Sequence, residues 1–277
     1  MIKNAKGFKQ YSFGKAIMRP SHTTPAIVLR SRPFGESDKV VSFLTEQYGK
    51  ITGIAKGAMR SRKRFVNSLE PFTVVNLRFQ DRPHGNLAFI LTADLIFGYH
   101  QLAVNLDCLA CAAYMVEITD GLVGEREENL TVYRHLRDGL RYLQSYGTSL
   151  GFLTGFELKL LRLAGYQPLL DTCKRCVRHR LDGSVPLWYF SVIDGGIFCE
   201  FCARSQRELL PLGAKALEVI TALREGTGCL PLSVSLPLSV IQEIRAVMLR
   251  FIQFHVPREI KSASFLDQFA ATNFEIR

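Results

Sequence analysis

Cys173-Lys174-Arg175-Cys176 and Cys199-Glu200-Phe201-Cys202 form two C-x-x-C pairs separated by residues 177–198. Each pair can place two thiolates on one tight turn. A chain that returns between them then closes four sulfurs into the tetrahedron of a structural zinc site. The intervening residues suit such a return. Leu187 to Ile193 is β-prone, Asp194-Gly195-Gly196 is a turn, and Ile197-Phe198 leads into the second pair. The expected object is a small ribbon or knuckle around one Zn2+, with four protein ligands and no open position for catalysis. Two disulfides, a redox C-x-x-C and unligated thiols are the competing readings. Disulfides need an oxidising compartment, and the chain opens without the pattern of a secretory signal. A redox pair normally sits on a βαβ unit. Val177 and Ala203 follow the second cysteine of each pair, where knuckles often carry glycine. Cys108 and Cys111 repeat the C-x-x-C spacing inside an apolar helical run and read as core thiols.

A second chemistry lies between Lys50 and Phe65. Lys50, Lys56, Arg60, Arg62, Lys63 and Arg64 occur there with no acidic residue among them. A basic strand feeding a basic loop, with Phe34, Phe43, Tyr48 and Phe65 near by in sequence, suits a single-stranded nucleic acid. Cations track the phosphates and rings stack on bases. A solvated charged loop is the plainer alternative. The six histidines fall in no H-x-x-x-H or H-E-x-x-H frame, and no phosphate-cradling glycine loop is present. Glu36 and Asp38 are a close carboxylate pair that could hold a metal or cap a loop.

The elements that position these residues follow from periodicity. Residues 1–24 read as a flexible basic extension, with Met18 an alternative start. Five strands are expected between 26 and 98: Ala26 to Leu29, Lys39 to Thr45, Gly49 to Gly57, Phe72 to Phe79, and Leu87 to Thr92. Short strands with coiling glycines suit a small closed barrel of OB-fold type, with an open sheet or SH3-like barrel as the alternative. From 99 the period turns helical, with helices expected near 108–121, 129–146, 150–165, 213–224 and 238–255, and a short one over 265–273. The fold class is therefore α+β: an OB-fold domain over 25–98, then a helical domain over 99–277 with a zinc-binding insertion at 169–204. Of 277 residues, 47% are hydrophobic and 22% charged, ordinary for a globular chain. No apolar run approaches the about 18 residues that span a bilayer. The net charge of +10 points to a polyanionic partner, nucleic acid or anionic membrane.

Taken in order, these motifs resemble the RecO family. The likeness runs from about 26 to 270 and includes Ile27-Val28-Leu29-Arg30, Gly35 to Val41, Gly49-Lys50, Ala55-Lys56-Gly57-Ala58, and Leu69-Glu70-Pro71-Phe72. It continues through Phe156 to Leu161, Gly165-Tyr166-Gln167-Pro168, Gly195 to Cys199, Lys261-Ser262 and Phe265-Leu266. The long start before Ala26 and the missing knuckle glycines depart from the family. The resemblance implies a non-enzymatic recombination mediator in DNA repair, cytoplasmic and nucleoid-associated. Such a protein binds and anneals single-stranded DNA, engages the single-strand binding protein SSB and RecR, and helps load RecA at gaps.

A partner face for the SSB tail is expected on the helices. Arg134, Arg137 and Arg141 fall at i, i+3 and i+7, and Lys159 and Arg162 are three apart beside Leu158 and Leu161. Cations bordering an apolar groove would take an acidic peptide ending in a hydrophobic residue. The rival classes are a nucleic-acid enzyme (nuclease or RNA-modifying) built on the same modules, and a zinc-ribbon transcription factor reading duplex DNA.

Overall fold

The computed structural model describes residues 20–82, 87–181, 187–225 and 236–266. Most of the expected extension, the tip of the 81–86 turn and nearly all of the expected 265–273 helix lie outside these residues.

Five strands close a barrel: β1 (Ser21–Phe34), β2 (Asp38–Thr45), β3 (Lys50–Ala55), β4 (Thr73–Gln80) and β5 (Ala88–Gly98). Their order is β1-β2-β3-β5-β4, returning to β1, with only β3 and β5 parallel. This is the five-stranded OB arrangement. Closure depends on β1, which pairs with β4 over 21–27 and with β2 over 26–34. A register shift between Val28 and Arg30 bends it from one neighbour to the other. The strand therefore starts earlier than Ala26, and 21–24 belong to the sheet, not to an extension.

Ala26-Ile27-Val28-Leu29 is apolar without alternation because both faces of β1 are covered. Ala26 and Val28 join the barrel core with Phe43, Ile51, Leu77 and Phe79. Ile27 and Leu29 join the core of the helices. Gly53 is required where β3 meets β5, since a Cβ there would lie 2.4 Å from Ile90 Cδ1.

The helical part begins with α1 (Leu106–Leu122), α2 (Leu130–Tyr146) and α3 (Leu150–Leu163). Asn105, Asn129 and Ser149 cap them by accepting from the N–H of Cys108, Val132 and Phe152. The cysteine segment follows with β6 (Leu187–Ser191), β7 (Gly196–Cys199), the single-turn α4 (Glu200–Ala203) and β8 (Leu209–Gly213). Helices α5 (Ala214–Glu225) and α6 (Leu238–His255) complete the order. The ribbon is a three-stranded sheet ordered β7-β6-β8, so it extends past residue 204. Pro211 hides β8 from a reading of propensities, yet an edge strand accommodates proline. A buried network ties three helices together. Glu157 accepts from Tyr114 on α1 at 2.6 Å and from Arg245 on α6 at 2.7 Å.

Barrel and helices are fastened at one buried carboxylate. Asp120 faces Lys50 Nζ at 3.5 Å, with Arg30 and Arg258 also at 3.5 Å. Lys50 further donates to the Asp120 carbonyl, and the Arg126 N–H to the Lys50 carbonyl at 2.9 Å. Gly49, at φ +63°, packs so closely on Glu127 that a Cβ would meet its carbonyl oxygen at 2.2 Å.

Candidate metal centre and nucleic-acid face

The four sulfurs of Cys173, Cys176, Cys199 and Cys202 lie within 4.8 Å of one another. Four thiolates about 2.3 Å from a tetrahedral ion stand about 3.8 Å apart, and Cys176 and Cys199 are 3.7 Å apart. The donor set and its size fit zinc, or another thiolate-seeking ion of that radius. Three of the cysteines are buried and Cys176 is exposed, so the cluster sits just under the surface. Burial pushes the Cys173 thiol up, but N–H groups of Cys176, Cys199 and Arg175 outweigh it and hold it at about 6. Burial raises Cys202 to about 12, and competition from the other three sulfurs adds to the rise. Four thiolates therefore need a cation to coexist here.

The two pairs sit on different backbones. The first is a turn closed by the Val177 N–H on the Cys173 carbonyl at 3.0 Å, with Val177 forced to φ +60°. That is the conformation for which knuckles use glycine. The second pair opens α4, where Ala203 is helical and no glycine is needed. Cys108 and Cys111 are buried in α1, and burial raises both thiols, Cys111 to about 12.

Lys56, Arg60, Arg62, Lys63 and Arg64 are all exposed on the β3–β4 connection. This loop is built: Arg64 donates to the Lys56 carbonyl at 2.7 Å, and its guanidinium lies 5.0 Å from the Phe65 ring. Lys50 is a correction to the set. It is 8% exposed and committed to Asp120, because the barrel must dock on α1 there. The aromatics divide likewise. Phe43 and Phe65 are barrel core, and Tyr48 packs on His22 and Phe79, leaving Phe34 exposed at 54%. Arg82 and Phe89 escaped sequence reading. Phe89 carries Lys56 at 5.7 Å and Arg82 at 4.0 Å, the latter contributed by the turn before β5. Only proximity in the fold reveals this pairing. Asp38 accepts from the Gly57 N–H at 2.8 Å, which makes it a loop cap and not part of a metal pair.

Between α2, α3 and α5 runs a groove of about 500 Å³ whose lining includes Arg134, Lys159 and Arg162, the carboxylates Asp138 and Glu225, and the apolar Phe152, Phe156 and Leu158. Arg137 and Arg141 are not among its lining residues. The Arg137 side chain holds Asp138 at 2.9 Å, its carbonyl accepts from Tyr99, and Arg141 faces Tyr99. Arg224, also in the groove, binds Asp171 with two bonds of 2.8 Å at the base of the ribbon. His135 stacks on Phe156, and burial lowers its pKa to about 4. No helix among the described residues is long and apolar enough to cross a membrane.

Comparison with known proteins agrees with this layout. The family model for recombination protein O, N terminal, matches residues 18–99, and that for recombination protein O, C terminal, matches 104–264. The DNA repair protein RecO of Anaeromyxobacter dehalogenans (strain 2CP-C) is 33% identical over 242 residues, 87% of this chain and 94% of its own. Those of Syntrophus aciditrophicus (strain SB) and Caldanaerobacter subterraneus subsp. tengcongensis are 29% and 30% identical, over 90% and 87% of this chain and 96% of each of theirs. With both domain models and relatives of nearly full length aligned on one chain, it belongs to the RecO family of DNA repair proteins.

Proposed function

We propose that the chain is a recombination mediator without catalytic chemistry, acting in the cytoplasm on the bacterial chromosome. It binds and anneals single-stranded DNA on the barrel, engages SSB and RecR, and helps to load RecA at gaps. One observation carries the DNA-binding part: an exposed, acid-free run from Lys56 to Arg64, continued by the Phe89 ring between Lys56 and Arg82. Cations along this loop supply phosphate contacts without choosing a sequence, and the Arg82 guanidinium stacked on Phe89 adds another.

The four cysteines hold one structural zinc, which fixes the ribbon and leaves no position for a substrate. The groove takes the SSB tail. Arg134, Lys159 and Arg162 receive its carboxylates, and the apolar floor takes its terminal side chain. Arg137 and Arg141 would border this site from outside.

Titration of a labelled oligothymidine across salt concentrations tests the barrel. About four phosphate contacts give a slope of log K on log salt near −3. Arg60→Glu, Arg62→Glu and Lys63→Glu together should weaken binding at least about thirtyfold for every sequence. Arg64 is left intact because it braces the loop through Lys56. Affinity that ignores salt, or a number of strands bound per chain that the triple reversal leaves unchanged, would reject the proposal.

A further inference from the structure

The ribbon carries a second cationic surface that the barrel account does not use. Residues 174–180 read Lys-Arg-Cys-Val-Arg-His-Arg, without an acid, and Lys174, Arg175 and Val177 are exposed. The Arg175 guanidinium contacts Ser205 Oγ, and the Ser205 hydroxyl in turn donates to the Cys202 carbonyl at 3.1 Å. This joins the first knuckle to the turn after α4, where Arg204 and Arg207 are also exposed. Glu200 and Glu208 are the acids of that second stretch. Phe201 lies on this turn three residues before Arg204 and is 75% exposed although flanked by a metal-ligand position, with Val177 71% exposed on the other knuckle. An aromatic ring left in water adds little apolar burial to folding. An ion held by the four cysteines beneath it would fix both turns, and the contact with Ser205 holds the Arg175 guanidinium.

Resting on the mediator reading, we infer that this knuckle face is a second single-strand site, built from Arg175, Arg204 and Arg207 around the Phe201 ring. Annealing brings two polyanions together, and one cationic site can neutralise only one of them. A second site on a separate element lets one chain hold both complements, with their repulsion reduced on each side. Phe201 offers a base its face, as stacking platforms do, and the three arginines hold the adjoining phosphates.

The test uses the full chain with its metal content checked. Wild-type protein should take up two short oligothymidines, each of about ten nucleotides, per chain. The triple variant Arg175→Glu, Arg204→Glu, Arg207→Glu should take up one, with the barrel affinity changed less than about twofold. Its rate of annealing two complementary strands should fall about tenfold. The salt slope for a long strand should become shallower by about 2, for three lost phosphate contacts. Phe201→Ala touches only an exposed ring and guards against misfolding. It should lower annealing several-fold at unchanged metal content and melting temperature. Unchanged stoichiometry and annealing in both variants would overturn the inference while leaving the barrel reading intact. So would loss of binding to an acidic peptide with annealing retained, which would make the face a peptide site. A wild-type chain that binds no strand would overturn both readings.

Discussion

The barrel and the ribbon are both small sheets that carry cations on a loop, but they are held together differently. The barrel has its own core of Ala26, Val28, Phe43, Ile51, Leu77, Phe79 and Ile90, and closes on itself through β1. The ribbon has none. Trp188, Phe190, Ile197 and Leu212 all belong to the core of the helices, and so do the buried Cys173, Cys199 and Cys202. A closed sheet satisfies its own edges, whereas a three-stranded ribbon of this size must borrow apolar surface and be pinned. One region closes by its own topology, and the other leans on the helical core and on four cysteines that could hold an ion, so perturbations should separate them.

The largest effect is expected from the metal site. Ion binding in comparable sites contributes on the order of 10–16 kcal/mol and couples to folding. Cys173→Ser should cost several kcal/mol and release the metal, detected as lost zinc and a lower, broader melting transition. Next comes the fastening between the barrel and the helices. Asp120→Ala leaves the buried Lys50 ammonium with the residue 120 carbonyl but no counter-charge, at a cost of about 3 kcal/mol in chemical denaturation. Lys50→Met should cost less, because Arg30 and Arg258 remain beside the carboxylate.

A smaller effect of opposite sign is expected at Val177. A β-branched residue at φ +60° is strained, so Val177→Gly should stabilise the ribbon by about 1 kcal/mol, seen as a higher melting temperature with metal content unchanged. The smallest concerns acid. Burial lowers the folded pKa of His135 to about 4 from an ordinary 6.5. As pH falls, the unfolded chain takes up that proton first, so the contribution of His135 is whole above about 6.5 and is lost towards 4. His135→Gln should flatten the stability profile in that window. A profile unchanged there would mean the ring is not buried as a neutral group.

Much of the architecture is legible in periodicity and punctuation. Three of the five strands, five long helices and both cysteine pairs lie within a few residues of where alternation, helical period and C-x-x-C spacing place them, while β1 runs five residues past each expected end and β5 six past its last. Three things were not. β8 is hidden because Pro211 argues against a strand and only its edge position excuses it. The fate of Lys50 is set by Asp120, 70 residues away, which no local pattern reports. The division of α2, with Arg134 in the groove and Arg137 and Arg141 outside it, depends on where α3 and the barrel pack. Spacing gives a helix face but not what covers it.

The difference between the two regions is tested most directly by hydrogen exchange on the full chain before and after chelation, with binding of a short oligothymidine measured on the same samples. Removing the ion should raise exchange across 170–181, 187–213 and α5, while β1 to β5 remain protected and the barrel still binds the strand. Equal loss of protection in the barrel, or loss of its strand binding on chelation, would contradict a barrel that stands by its own topology.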